Sequence, residues 1–302
     1  LALSRSSSRS PRPPPSPSVA YIAFLASLIL EPVQTGLIYL HGLRFPHGTD
    51  FSRPELVGFA PGKVRPFNLT APDGATLGAW HVLPRNAYEA AIERLGVPEE
   101  GPLPDEVFDE ALRDPSTPTV TYNHGNAGTR AAGNRVRVAR HMSDMDCNFL
   151  IIDYRGFADS SRSPPPSEEG LLIDARRAWD FLQVDKGVEA GNIAIMGQSL
   201  GTGVSAGLAA RLAAEGITPR ALVLVAPFSS IPTLLETYRL GASTSLSSRA
   251  RTLTTRSTLA QATLSRSSRL CAASPGCSTP SCSSSRRAST PRTSSTRSPV
   301  RS

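Results

Sequence analysis

The apolar positions of this 302-residue chain fall into short dense runs separated by stretches with helical spacing. Residues 119–122, 148–152, 192–195 and 221–225 form four such runs, each too short for a helix and apolar almost throughout, which predicts buried strands. Between the first two, a helix is predicted up to about Met142. Between the second and third, Leu171, Leu172, Ala175, Ala178, Trp179 and Leu182 share one helical face. An alanine-rich helix then runs to Ala214 before the 221–225 strand. Strands that are apolar on both faces and alternate with helices predict an α/β fold, with a mostly parallel sheet covered by helices on both sides.

Upstream, residues 64–83 predict two strands joined by a hairpin turn at Asp73-Gly74. Residues 86–117 are dense in acidic side chains, with Ala87, Ala90, Ala91, Leu95, Val107, Phe108 and Leu112 at helical intervals, and predict a solvated helical insertion. Earlier still, residues 19–30 are apolar, Glu31-Pro32 interrupts, and Leu37–Leu40 resumes. The first run is shorter than the roughly 20 residues of a spanning helix, while the two together are long enough. A signal anchor or single span over 19–45 is expected, with a helix lying on a membrane or on the protein surface as the alternative. Residues 1–18, rich in Ser, Arg and Pro, are expected to be disordered. The chain begins at Leu1, which suggests an incomplete or processed start.

Charge changes the picture only once it is located. The net charge is +7, but 11 arginines lie from Arg239 onward with no acidic residue among them, which leaves −4 over residues 1–238. The basic balance belongs to the tail, so nucleic acid is not an expected partner. Residues 243–302 are mostly Ser, Thr, Arg, Ala and Pro, a low-complexity composition that cannot offset its ordering entropy by burial. It resembles coding sequence read in a shifted frame, and a genuine disordered tail is the alternative. Cys147 reads as a buried thiol in an apolar strand. Cys271, Cys277 and Cys282 match no zinc spacing and have no histidine nearby, so neither a metal nor another cofactor is expected. The Asn68-Leu69-Thr70 sequon falls within a predicted strand and reads as a chance match.

The candidate chemistry centres on Ser199, in Met196-Gly-Gln-Ser-Leu-Gly201. A strand, a G-x-S-x-G turn and a small-residue helix form a nucleophile elbow, in which Gly197 and Gly201 leave room for a strained turn. The expected oxyanion donors are the backbone N–H groups of Asn126 and Leu200. A serine hydroxyl needs a base, normally a histidine oriented by a carboxylate. All five histidines (His41, His47, His81, His124 and His141) precede Ser199, and the only later carboxylates are Glu215 and Glu236, both in helical contexts. No acid or base is therefore identified. His124 reads as a structural residue beneath the oxyanion loop, and Asp153 and Arg155 as members of a turn-stabilising ion pair.

Residues 64–242 resemble the α/β-hydrolase superfamily, and most closely its membrane-attached branch of lysophosphatidylserine and monoacylglycerol lipases. The matching residues are Tyr122-Asn-His-Gly-Asn-Ala-Gly128, Asp153-Tyr-Arg-Gly-Phe157, Gly197-Gln-Ser-Leu-Gly201 and Ala226-Pro-Phe228. Ala158 stands where the family usually has glycine. The resemblance implies a hydrolase domain over 60–242, a lipid or ester substrate and a membrane location, with the endoplasmic reticulum as candidate compartment. The family's last two strands, its catalytic aspartate and its catalytic histidine have no counterpart, so the chain as given is expected to be a serine esterase impaired by that loss. A non-catalytic hydrolase-like scaffold that binds a partner is the alternative.

Overall fold

The structure is a computed structural model that describes residues 16–230 and residue 233. The expectations for the N-terminal Ser/Arg/Pro segment up to residue 15, for the stretch 243–302 with its three cysteines, and for Glu236 fall outside the described residues.

Two short helices come first, α1 (Pro17–Ser27) and α2 (Glu31–Tyr39). Ser16 caps α1 by accepting from the Val19 amide, and each helix carries proline in its first turn, where a missing N–H costs nothing. Leu40, in the left-handed conformation, ends α2. The expected continuous span gives way to a pair bent by 87°; no single described helix is long and apolar enough to cross a membrane, although the pair passes together by length and composition. The break falls at Glu31-Pro32 because proline cannot donate into a continuing helix.

The remaining elements are β1 (Val64–Thr70), β2 (Thr76–Val82), α3 (Arg85–Leu95), α4 (Asp105–Arg113), β3 (Thr119–Asn123), α5 (Gly133–Asp144), β4 (Asn148–Ile152), α6 (Glu168–Asp180), β5 (Ile193–Gln198), α7 (Leu200–Ala214) and β6 (Ala221–Val225). The six strands form one sheet in the order β1-β2-β4-β3-β5-β6. The β1–β2 hairpin turns at Gly74 (φ 86°), as its sequence predicts, and β2 joins β4 antiparallel. The pairs β3–β4, β3–β5 and β5–β6 are parallel. From β3 the chain winds one way to β4 and then back past β3 to β5, so the strand order reverses there. Loops at the carboxyl ends of strands at such a point form the crevice where α/β proteins bind ligands.

One apolar cluster, under α6 and α7, includes Leu77, Leu150, Trp179, Ile195 and Leu208. On the opposite face Trp80, Val120, Tyr122, Val136 and Phe149 pack beneath α5. The acidic insertion departs from its expected solvated state. Val107, Phe108, Ala111 and Leu112 of α4 are buried, and they pack with Leu83, Ala91 and Leu103 into a cluster of their own. The acids lie on the outer face, and Asp109 pairs with Arg65 and Lys186. The run 221–225 is also not buried as expected. Leu222 and Val223 are 42% and 43% exposed, because β6 is the edge of the sheet among the described residues. Cys147 is buried as read.

Asp153 and Arg155 do form ion pairs, though not with each other. Asp153 is held by Arg130 at 2.7 Å, and Arg155 bridges Asp174 at 2.7 Å and Asp73 at 2.5 Å. Burial alone would raise the Asp153 carboxyl, but the charges of Arg130 and Arg135, with hydrogen bonds from the Arg130 amide and guanidinium, hold it down at about 2. Ala158, in the place of a family glycine, takes φ 46°. That conformation costs an alanine on the order of 1 kcal/mol. Ala158→Gly is expected to stabilise the protein by roughly 0.5–1 kcal/mol, the relief of strain exceeding the loss of one methyl; a lower urea midpoint would contradict this.

His81 is fully buried between Arg65 and Asn148, and burial, with the Arg65 charge, lowers it from 6.5 to about 3. The folded protein therefore keeps His81 neutral where the unfolded chain protonates it. The stability this contributes is complete above pH 6.5 and is lost as pH falls towards 3. In that window His81 is expected to supply a slope of about 1.4 kcal/mol per pH unit. Urea unfolding between about pH 6 and 4 should show His81→Gln flattening the profile by that amount; an unchanged slope would refute it.

Candidate active site

Local sequence forces a kink at the end of β5. Ser199 sits at φ 50°, ψ −118°, outside the regions that side chains favour, and is half-buried. Its amide donates to the Val225 carbonyl at 3.0 Å, and its own carbonyl accepts from the Thr202 amide at 2.8 Å and hydroxyl at 2.6 Å. The two flanking glycines have no room for a side chain. A methyl at Gly197 would overlap the Gly201 carbonyl, and one at Gly201 would overlap the Asn123 carbonyl at the end of β3. The backbones of β3, β5 and α7 meet here at a distance that only glycine permits. Asn123 Nδ2 to Ser205 Oγ (2.8 Å) and Tyr122 Oη to Gln198 Oε1 (2.7 Å) tie the strands and helix across this contact.

The loop that leaves β3 lies against the elbow. A methyl built on Gly125 would stand 3.4 Å from Ser199 Cβ and from the Gln198 carbonyl. Asn126 is exposed at the tip, and Ala127 (φ 56°) and Gly128 (φ 66°) turn the chain back. Three amides of this loop are taken by the segment after α2: Ala127 donates to the Tyr39 carbonyl (3.1 Å), Gly128 to Leu43 (2.8 Å) and Thr129 to Phe45 (3.2 Å). Among the described residues neither the Asn126 nor the Leu200 amide donates to a backbone carbonyl. The Leu200 amide opens α7, where the first N–H groups have no intrahelical acceptor and the helix dipole favours negative charge. Ser199 and the two proposed donors thus lie on adjoining loops.

His124 is fully buried. Its ring lies tilted 4.3 Å from that of Tyr154 and edge-on to Phe157 at 5.3 Å, with Nδ1 2.7 Å from the Gly125 carbonyl and Nε2 3.4 Å from Asp153. Burial and the nearby Arg135 charge lower its pKa, so it is neutral. With both ring nitrogens turned to these groups it occupies the supporting place the sequence predicts. None of the hydrogen bonds made by the described histidines reaches Ser199. Glu215 is exposed and held by Arg176. Among the described residues Ser199 therefore lies beside two uncommitted amides, with no histidine hydrogen-bonded to it.

Beside the elbow a cavity of about 390 Å³ opens along α7, lined by Leu200, Gly203, Val204 and Gly207, by Leu171 and Leu172 of α6, by Tyr39 and Glu168, and by Phe228–Ser230. Leu200, Gly203, Val204 and Gly207 are one face of α7, and a methyl added at Gly203 would meet open space. The volume suits a small ligand, and the lining is mainly apolar. Sequence reading missed Arg135, whose buried guanidinium contacts the loop carbonyls, and the Tyr39–Phe45 segment. The signal for Arg135 was available: it lies on the same face of α5 as the buried Val136 and Ala139.

The comparisons agree with this geometry. The family model described as serine aminopeptidase, S33, matches residues 115–280, more than half of the chain. Over 210 residues the chain is 34% identical to "Lysophosphatidylserine lipase ABHD12" of Xenopus tropicalis, covering 70% of this chain and 50% of that protein. It is 34% identical over 203 residues to "Protein ABHD12B" of Homo sapiens, covering 67% and 51%. The chain thus spans about half the length of these relatives. An alpha-beta hydrolase from Vibrio vulnificus shares the fold, with a TM-score of 0.52 at 20% identity over 70% of this chain and 64% of that one. Strained serine turn, strand order and family match together place this chain in the serine aminopeptidase S33 family of α/β-hydrolases.

Proposed function

We propose that this protein carries the carboxylic-ester chemistry of a lipid hydrolase, acting on a single-chain lipid such as a lysophospholipid or monoacylglycerol. The observation that supports it best is Ser199, held half-exposed in a strained turn beside the uncommitted Asn126 and Leu200 amides. In this reading Ser199 Oγ attacks the ester carbonyl, and the two amides receive the negative charge that develops on its oxygen, each contributing on the order of 3 kcal/mol. The apolar cavity along α7 takes the acyl chain. The similarity to a protein named as a lysophosphatidylserine lipase supports a lipid substrate.

Attack also requires that the Ser199 proton leave. No histidine follows Ser199 in this chain, and the five that precede it are not bonded to it. Unaided turnover by the 302-residue chain is therefore slow. The same observation favours a second reading, a hydrolase-like scaffold without turnover, in which Ser199 is dispensable. Hydrolysis of a p-nitrophenyl ester with added imidazole separates the two. The expected result is a rate that rises with imidazole in the wild-type protein and not in Ser199→Ala. A rate equal in both proteins sinks the hydrolase reading, and rapid hydrolysis without imidazole sinks the missing base.

A lipid surface is the proposed seat of α1 and α2. Neither helix has a buried residue, no charged side chain lies between Pro17 and Leu30, and Tyr21, Ile22, Phe24, Ile29 and Leu30 are all more than half exposed. Tyr39, at the end of α2, lines the cavity, so a lipid chain leaving that surface has a short path to Ser199. The protein should float with phosphatidylcholine/phosphatidylserine vesicles, and the triple variant Ile22→Ser, Phe24→Ser, Ile29→Ser should stay in the soluble fraction. Equal flotation of the two would refute this seat.

A further inference from the structure

Arg135 sits in the first turn of α5 and is 4% exposed. Arg65, Arg130 and Arg155, the other buried arginines, are each paired with a carboxylate. Arg135 has no such partner among the described residues. Its Nη2 donates to the carbonyls of Gly125 at 2.8 Å and Ala127 at 2.5 Å, with Asn126 O at 3.4 Å, while Nε and Nη1 have no acceptor. Its guanidinium feels the charge of the buried Asp153, which is itself bonded to Arg130, but makes no direct ion pair; a buried cation so placed is costly, the more so at the positive end of a helix. Packing alone does not account for it, since an aliphatic side chain would fill the same space without either penalty.

The contacts themselves indicate what the guanidinium does. In a trans peptide the carbonyl and the following N–H point in opposite directions. Holding the Gly125 carbonyl towards Arg135 turns the Asn126 N–H to the opposite side of the loop. From elsewhere the Ala127, Gly128 and Thr129 amides are drawn to the Tyr39, Leu43 and Phe45 carbonyls. Asn126 is thus left with its amide uncommitted, next to a glycine on which an added methyl would stand 3.4 Å from Ser199 Cβ. We propose that Arg135 is a positioning residue: it gathers the carbonyls of Gly125–Ala127 on one side of the loop and aims the Asn126 amide at an anion beside Ser199, its guanidinium bonded to those carbonyls and to no carboxylate among the described residues. The inference rests on the ester-hydrolase reading for the identity of the anion, the substrate oxygen in the transition state.

The test compares wild type, Arg135→Lys and Arg135→Gln in the imidazole-supported hydrolysis that depends on Ser199, with thermal unfolding as the control for folding. Loss of one aimed donor lowers kcat by on the order of 100-fold. Arg135→Gln is expected to show that drop with KM within about twofold, and Arg135→Lys, which keeps the charge without the fork, to recover part of it. Unchanged kcat in folded variants overturns the proposal, as does a loss that follows Tm alone with no recovery by lysine. If wild type shows no Ser199-dependent rate, the ester-hydrolase reading falls, and a crystal structure of whichever variant folds decides the positioning by itself. A rotated Gly125–Asn126 peptide supports it, and an unmoved one overturns it.

Discussion

The contact between the start of α7 and the end of β3 governs the rest of this molecule. At Gly201 the helix backbone lies against the Asn123 carbonyl so closely that no side chain fits, and Gly197 faces the same crowding from the helix side. Because these backbones touch, the loop after β3 and the turn after β5 share one small volume. Ser199 is forced into its strained conformation by the need to connect a strand to a helix within that space. The apolar layers on the two faces of the sheet, and the Arg130–Asp153 and Arg155–Asp174 pairs at the strand ends, hold the elements rigidly enough for the strain to persist.

Much of this was legible in the residues. The four parallel strands and the helices between them follow from apolar runs whose lengths suit only strands, and the G-x-S-x-G turn is readable because two glycines at fixed offsets have a steric purpose. The hairpin at Gly74 is equally local. What escaped depended on partners distant in sequence. Asp153 and Arg155 read as ion-pair residues of the turn, but their partners, Arg130 and Asp174, lie across the fold. The acidic insertion looked solvated because it is dense in acidic side chains, but Val107, Phe108, Ala111 and Leu112 fall on one face and are enough to bury α4. Among the described residues the exposure of β6 is a matter of position in the sheet, which the run Ala-Leu-Val-Leu-Val cannot encode.

The site divides in the same way. Ser199 and the loop beginning at His124 could be named from the sequence because each is a contiguous motif. The groups that hold that loop are less visible: Arg135 shows only as a charge on the buried face of the following helix, and the carbonyls of Tyr39, Leu43 and Phe45 belong to a segment with no motif at all. Backbone acceptors leave no trace in side-chain identity, since any residue supplies a carbonyl. A loop held through its backbone is thus supported largely by interactions that residue types do not report.

The three bonds from that segment bear on how the protein is prepared for study. Residues 17–45 carry much of the exposed apolar surface, and trimming them away is an obvious choice for a soluble preparation. Cutting before Pro46 would also strip the acceptors from Ala127, Gly128 and Thr129, three consecutive amides in the turn that faces the nucleophile. A shortened protein could then be well behaved and chemically silent for a reason unrelated to Ser199. Detergent or nanodisc preparations that keep the leading helices preserve the tether along with the grease.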